Sequence, residues 1–156
     1  GVNGNLALDG DAEAAREPEE TEVERQAREA VERGDYAAAE EVYKHAIAQD
    51  PTNESLQVAR DQVRLMARLD GQDPHALLAA ADADPADVEA ALAGADAALA
   101  LGDVDAALGR ALEAVRSHQG DERERARLRL LEIFALVGTT SPRVARARRQ
   151  LATMLY

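Results

Sequence analysis

The sequence predicts an all-α chain: a right-handed superhelix of about four antiparallel helix hairpins, about eight helices in all. Three observations predict it. Ala, Leu, Glu and Arg dominate, β-branched residues are sparse, and there is one Phe, three Tyr and no Trp; such a composition favours helix over strand. Gly34-Asp35-Tyr36 and Gly102-Asp103-Val104 lie 68 residues apart, and Pro51 and Pro85 lie 34 apart. Small residues recur at matching places after each Gly-Asp pair, namely Ala39 and Ala46 in one copy and Ala107 and Ala114 in the other.

A 34-residue period with small residues at fixed places is that of the tetratricopeptide repeat, in which each unit is a pair of helices joined by a tight turn. Residues 1–19 carry Gly1, Gly4 and Gly10 among many acids and keep no apolar period, so they are expected to form an acidic flexible linker. Residues 20–156 are expected to form the helical domain. In the first unit Gly34 ends the first helix, where a left-handed residue is easily accommodated, and Asp35 caps the second. Ala27, Ala39 and Ala46 let helices approach closely, and Tyr36 and Tyr43 fill the space between them. The second unit is irregular: a helix over about 53–69, a turn at Asp70-Gly71-Gln72-Asp73-Pro74, and a short helix to about Ala83. The third repeats the first, with Gly102 and Asp103 at its turn, Ala95, Ala107 and Ala114 at the close approaches, and Asp84 or Asp87 as a cap. Gly94 and Gly109 fall inside its helices, each at a cost of about 1 kcal/mol relative to Ala unless packing requires it. The fourth departs most. A helix over 122–137 offers Leu128, Leu131, Phe134 and Val137 to the core; Gly138 breaks it, and Ser141-Pro142 starts the last helix with a Ser cap and Pro at the first helical position. A deviant terminal repeat is expected where a stack must be closed.

Chemistry is sparse. Without cysteine there is no disulfide, thiolate metal site or thiol nucleophile. His45, His75 and His118 fall in different units, whereas a zinc site needs three or four converging ligands; they are read as solvated or capping residues. Asp82, Asp84 and Asp87 alternate as in a calcium loop, but Pro85 interrupts them and no Gly follows in register. Phosphate-binding Gly loops, dinucleotide fingerprints and Ser-His-Asp sets are missing. The expectation is a non-catalytic chain with no cofactor. A net charge of −12 argues against general nucleic-acid binding, and no run of about 18 apolar residues predicts a membrane span. A cytoplasmic location is expected, as is a piece of a longer protein, because the chain begins at Gly1.

Two surfaces are candidates for docking proteins. The first helix of each hairpin should line the concave face. Its lining places present Thr21, Glu24, Arg28, Val31 and Glu32 in the first unit, Ser55, Val58, Gln62, Leu65 and Met66 in the second, and Glu89, Leu92, Asp96, Leu99 and Ala100 in the third. Val58, Leu65, Met66, Leu92 and Leu99 would there form a partly apolar strip, either open to a partner or used in packing between helices. Lys44 is the sole lysine and lies elsewhere, so the clamp with which some tetratricopeptide domains hold acidic chaperone tails is not expected. The last helix is the second candidate. Val144, Ala147, Leu151, Met154 and Leu155 share one face, which either closes the core or meets a partner. Arg143, Arg146, Arg148 and Arg149 crowd the rest, Tyr156 ends it, and residues 142–156 contain no acid. Charge is uneven: residues 122–156 hold eight basic and three acidic side chains, while the preceding chain is strongly acidic.

The ending Gly120-Asp121-Glu122-Arg123, Arg129-Leu130-Leu131-Glu132-Ile133-Phe134, Val137-Gly138, Ser141-Pro142, Arg148-Arg149 and Leu151-Ala152 resembles the C-terminal end of the bacterial co-chaperone thioredoxins of the chaperedoxin (YbbN) type. The Gly34-Asp35-Tyr36 and Leu101-Gly102-Asp103 units are similar to that family too, so the likeness covers roughly residues 20–156. The resemblance implies a thioredoxin-fold domain ahead of the helical region and holdase activity. It implies three kinds of partner: the chaperonin or the Hsp70 system, unfolded clients, and the chain's own thioredoxin domain. No active-site dithiol carries over. A generic tetratricopeptide scaffold or oligomerisation module in an unrelated pathway is the alternative.

Overall fold

The computed structural model describes residues 19–156, so the expected linker over 1–19 lies almost wholly outside the described residues. The described residues form eight helices: α1 (Glu22–Glu32), α2 (Tyr36–Gln49), α3 (Glu54–Leu69), α4 (Pro74–Ala83), α5 (Val88–Ala100), α6 (Val104–Ser117), α7 (Gly120–Val137) and α8 (Pro142–Leu155). No strand occurs among them.

Local chemistry places most of the boundaries. Side chains of Thr21, Asp35, Asn53, Asp73, Asp87 and Asp103 accept hydrogen bonds from the first-turn N–H groups of the helix each precedes, which satisfies donors the helix cannot pair itself. Gly34 and Gly102 adopt φ of +76° and +81° at the turns they were expected to make. Of the two acids proposed to cap α5, Asp87 does so, while Asp84 closes the end of α4. Ser141 stands at the cap position of α8 but its side chain makes no capping bond. Pro142, which has no N–H to satisfy, starts the helix instead.

Packing departs from a uniform stack. The first and third pairs, α1 with α2 and α5 with α6, pack as hairpins; α3 packs chiefly on α2, α4 on α5, and α8 on α6. Two separate apolar clusters result. One joins Ala27, Ala30, Ala39, Tyr43 and Val63 on α1 to α3. The larger includes Leu92, Leu108, Leu112, Leu130, Ile133, Phe134, Val144 and Leu151 on α5 to α8. Gly94 explains the tight seat of α4 on α5: a Cβ there would stand 2.7 Å from the Cβ of Ala81. Gly109 faces open space and has no such reason.

One core expectation is corrected in α7. Leu128 and Leu131 are 50% and 36% exposed, and Leu130, Ile133 and Ala126 are buried in their place beside Phe134. The expected set stepped by three residues, which drifts around a helix of 3.6 residues per turn until Leu128 and Val137 lie on opposite sides.

Candidate functional site

Between α1 and α3 lies a cavity of about 240 Å³. Glu24, Arg28, Val31 and Glu32 line it from α1, Gln62 and Met66 from α3, and Tyr43 of α2 contributes to its wall. Ala27 of α1 and Ala59 and Val63 of α3 complete the lining, so six of its ten residues are lining places read from the repeat register. Periodicity brings them together: residues three to four apart on each first helix share the inner face. Arg28 pairs with Glu20 at 2.8 Å and with Glu32 at 2.9 Å, which holds its side chain along the rim. Burial pushes the Tyr43 phenol above its ordinary value, and Glu24 and Glu20 push in the same direction.

The five-residue apolar strip is not continuous. Met66 is exposed at 41%, and Val58 and Leu65 are half-buried on α3. Leu92 is only 2% exposed within the larger cluster, and Leu99 packs against that cluster. The physical reason is α5 itself: Gly94, Ala95, Ala97 and Ala98 are all buried, so neighbouring helices close around it and draw Leu92 into the interior.

Ion pairs occupy the middle of the inner face instead. Asp96 of α5 is 1% exposed. It accepts from Arg68 Nε at 2.8 Å and Nη2 at 3.2 Å, and from Arg129 Nη1 at 2.6 Å. Arg68 also donates to Glu132 at 3.1 Å, and Arg64 bridges Glu40 at 2.5 Å and Glu132 at 3.3 Å. Asp61, 4% exposed, is held by Arg60 at 3.3 Å. Burial pushes the Asp61 carboxyl above the usual carboxylate range, with Arg60 pulling the other way. Burial likewise lowers the Arg129 guanidinium below its ordinary value, against the pull of Asp96. This network crosses from α2 and α3 to α5 and α7 and so ties one apolar cluster to the other. Asp96 stands at a lining place of the repeat register, whereas its partners Arg68 and Arg129 do not. The available signals were a lone acid in the apolar run Ala95-Asp96-Ala97 and the four-residue spacing of Arg60, Arg64 and Arg68.

On α8, Val144, Ala147 and Leu151 are buried and belong to the larger cluster, so its apolar face closes the core. Its arginines divide. Arg143 pairs with Asp105 at 2.9 Å. Arg148 sits over the Phe134 ring, 5.1 Å from its centroid. Arg146 and Arg149 are exposed and have no ion-pair partner among the described residues. Tyr156 is fully exposed. Arg123 of α7 donates to the Met154 carbonyl, tying the start of α7 to the end of α8.

Among the described residues no group of three or more His, Cys, Asp or Glu side chains is placed to hold a metal ion, and no helix is long and apolar enough to cross a membrane. His118 is buried at the end of α6, where its ring nitrogens lie 2.8 Å and 3.0 Å from the Ala114 and Ala86 carbonyl oxygens. These two contacts hold its pKa above the ordinary imidazole value.

Residues 67–156 match the family model described as tetratricopeptide repeat. Two relatives, each bearing the name of an uncharacterized protein, come from Mycobacterium tuberculosis and Mycobacterium bovis. Each is 38% identical over 146 residues, a match that covers 92% of this chain and 48% of the relative. The chain therefore spans about half the length of the curated relatives it matches. No solved structure matches it.

Proposed function

Because the chain belongs to the tetratricopeptide repeat family, a class of protein-binding helical stacks, we propose that it is the partner-docking region of a cytoplasmic co-chaperone whose other half carries a thioredoxin fold. The observation that carries this reading is the outer face of α8. It is basic in an acidic chain, residues 142–156 contain no acid, and Arg146 and Arg149 lack ion-pair partners among the described residues. A cationic face on a closed core, with Arg146 and Arg149 lacking ion-pair partners among the described residues, suits an acidic surface on a chaperone, where charge sets encounter rate and register. The groove between α1 and α3, with Met66 on its rim, supplies an adaptable apolar contact for unfolded clients. The resemblance of the 120–156 ending to the chaperedoxin type supplies the chaperone class, and the relatives have room for a further domain because about half of their length lies outside the match.

The test is co-migration of this chain with purified chaperonin on size exclusion, for the wild type and for Arg146→Glu. Substitution replaces truncation here, because removing residues 142–156 would also remove Val144, Ala147 and Leu151 from the core. Co-migration that is lost in Arg146→Glu supports the reading. A wild-type chain that does not co-migrate sinks it.

A further inference from the structure

The ring of His118 stands where only its doubly protonated form satisfies what surrounds it. We propose that His118 is a proton-dependent latch: charged, it fastens the turn between α4 and α5 to the end of α6, and loss of its proton frees that turn. The latch needs no chaperone partner.

His118 caps the end of α6 and is buried. Its Nδ1 lies 2.8 Å from the Ala114 carbonyl oxygen and 3.2 Å from Ser117 Oγ, and its Nε2 lies 3.0 Å from the Ala86 carbonyl oxygen. All three neighbours act as acceptors, because Ser117 commits its hydroxyl proton to the Glu113 carbonyl at 2.8 Å. A neutral imidazole carries one N–H and would turn its other nitrogen lone pair on a carbonyl oxygen, whereas the imidazolium donates at both nitrogens. The charged groups that act on the ring from its neighbours are Glu122 of α7 and Asp87, the cap of α5. Both are acids, and both favour the cation.

The two carbonyl contacts are not equivalent when the proton leaves. Ala114 is four residues back on α6, so the helix itself keeps its carbonyl within reach. Ala86 is 32 residues away, in the turn between α4 and α5, and its carbonyl has no other hydrogen bond among the described residues. The remaining N–H therefore stays with Ala114, and the Ala86 contact is lost. Ala86 is exposed, so water takes over its carbonyl and the turn opens without the fold failing. Arg110 of α6 holds Asp82 of α4 at 3.0 Å, which keeps α4 seated and confines release to the segment beyond Asp82. That segment carries Pro85, which with Ala91, Ala114 and Ser117 lines a cavity of about 340 Å³ beside α6. The proton on His118 thus controls one wall of that cavity, with the charge change at the imidazole and the movable element at the turn.

Nuclear magnetic resonance of the full chain tests the latch. Titration of the ring nitrogens gives the His118 pKa, expected above the ordinary imidazole value, with both nitrogens protonated below it. Amide exchange, corrected for its intrinsic pH dependence, is then compared one pH unit either side of that pKa. Ala90 and Ala91 donate to the Asp87 side chain and carbonyl in the first turn of α5. Their protection should fall by at least about threefold on crossing the pKa, while Leu130 and Ile133 in the core keep theirs. Glu122→Gln, an exposed substitution, should lower the His118 pKa and carry the exchange midpoint down with it. In His118→Gln the protection of this first turn should no longer change with pH. A His118 pKa at or below the ordinary value would overturn the proposal, as would exchange at Ala90 and Ala91 that ignores the His118 titration. An equal loss of protection at Leu130 and Ile133 would overturn it too, by showing that the proton serves global stability and not this turn.

Discussion

Replacing Asp96 by Ala measures how much of this fold rests on its ionic seam. The side chain is 1% exposed and accepts three hydrogen bonds, two from Arg68 and one from Arg129. After its removal Arg68 keeps Glu132 at 3.1 Å, but Arg129 keeps no ion-pair partner among the described residues. Stranding a buried charge costs about 3–5 kcal/mol. The two arginine side chains are 24% and 18% exposed, so water recovers part of that, and about 3 kcal/mol is expected. For a domain of this size, each kcal/mol moves the thermal midpoint by about 2–4 °C, so the loss should be about 6–12 °C. Asp96→Asn, which keeps the shape and one acceptor, should lose roughly half as much. Urea and thermal unfolding followed by circular dichroism give the numbers. A double-mutant cycle with Arg129→Ala should show coupling of at least about 1 kcal/mol. Asp96→Ala within about 1 kcal/mol of wild type, or strict additivity in the cycle, would refute the view that this seam joins the two clusters.

The two interior glycines should respond in opposite directions. Gly94→Ala places a Cβ 2.7 Å from Ala81, and the overpacking cost of about 1–3 kcal/mol should outweigh a helix-propensity gain of about 1 kcal/mol. Gly109→Ala meets nothing and should stabilise by up to about 1 kcal/mol; equal shifts in chemical denaturation would contradict this packing account. Leu92→Ala should cost about 2–5 kcal/mol and Met66→Ala well under 1 kcal/mol in the same measurement, because the first is core and the second is groove rim. His118 has a folded pKa raised above its unfolded value. Its contribution is therefore fully present below about pH 6.5 and is lost as pH rises through the folded value. The wild-type thermal midpoint should accordingly fall from pH 6 towards pH 8 relative to His118→Gln, and parallel profiles would remove this assignment.

How much of this could be read from the chain depended on whether the signal was local. Turn glycines and Asp caps act within four residues, and Gly34, Asp35, Gly102 and Asp103 adopt the roles their spacing implied. The groove lining of the first unit was legible for the same reason, since Glu24, Arg28 and Val31 are related by a single helix period. Leu128 was misplaced, and Leu92 could be read as either groove or packing, because burial on a helix is decided by which neighbours approach, and no period within α5 or α7 specifies that. The ion network was the least legible feature. Arg64 and Glu132 are 68 residues apart, and only the fold brings them together.

That separation has a consequence for how the stack holds its shape. Apolar contacts are non-directional and tolerate small slides, whereas a buried carboxylate between two guanidiniums admits few arrangements. Between α1–α3 and α5–α8 the link is largely of the second kind. The seam therefore sets the relative placement of the groove beside Met66 and the arginines of α8 more than it adds to stability. The two docking surfaces proposed above, one on each apolar cluster, would need such a spacer for one partner to touch both. Replacing Asp96, Arg68 and Arg129 together by apolar residues of similar volume should then leave stability within a few kcal/mol of wild type, while altering the distance between labels placed at Met66 and Arg146. An unchanged label distance in a stably folded triple variant would show that shape is set elsewhere.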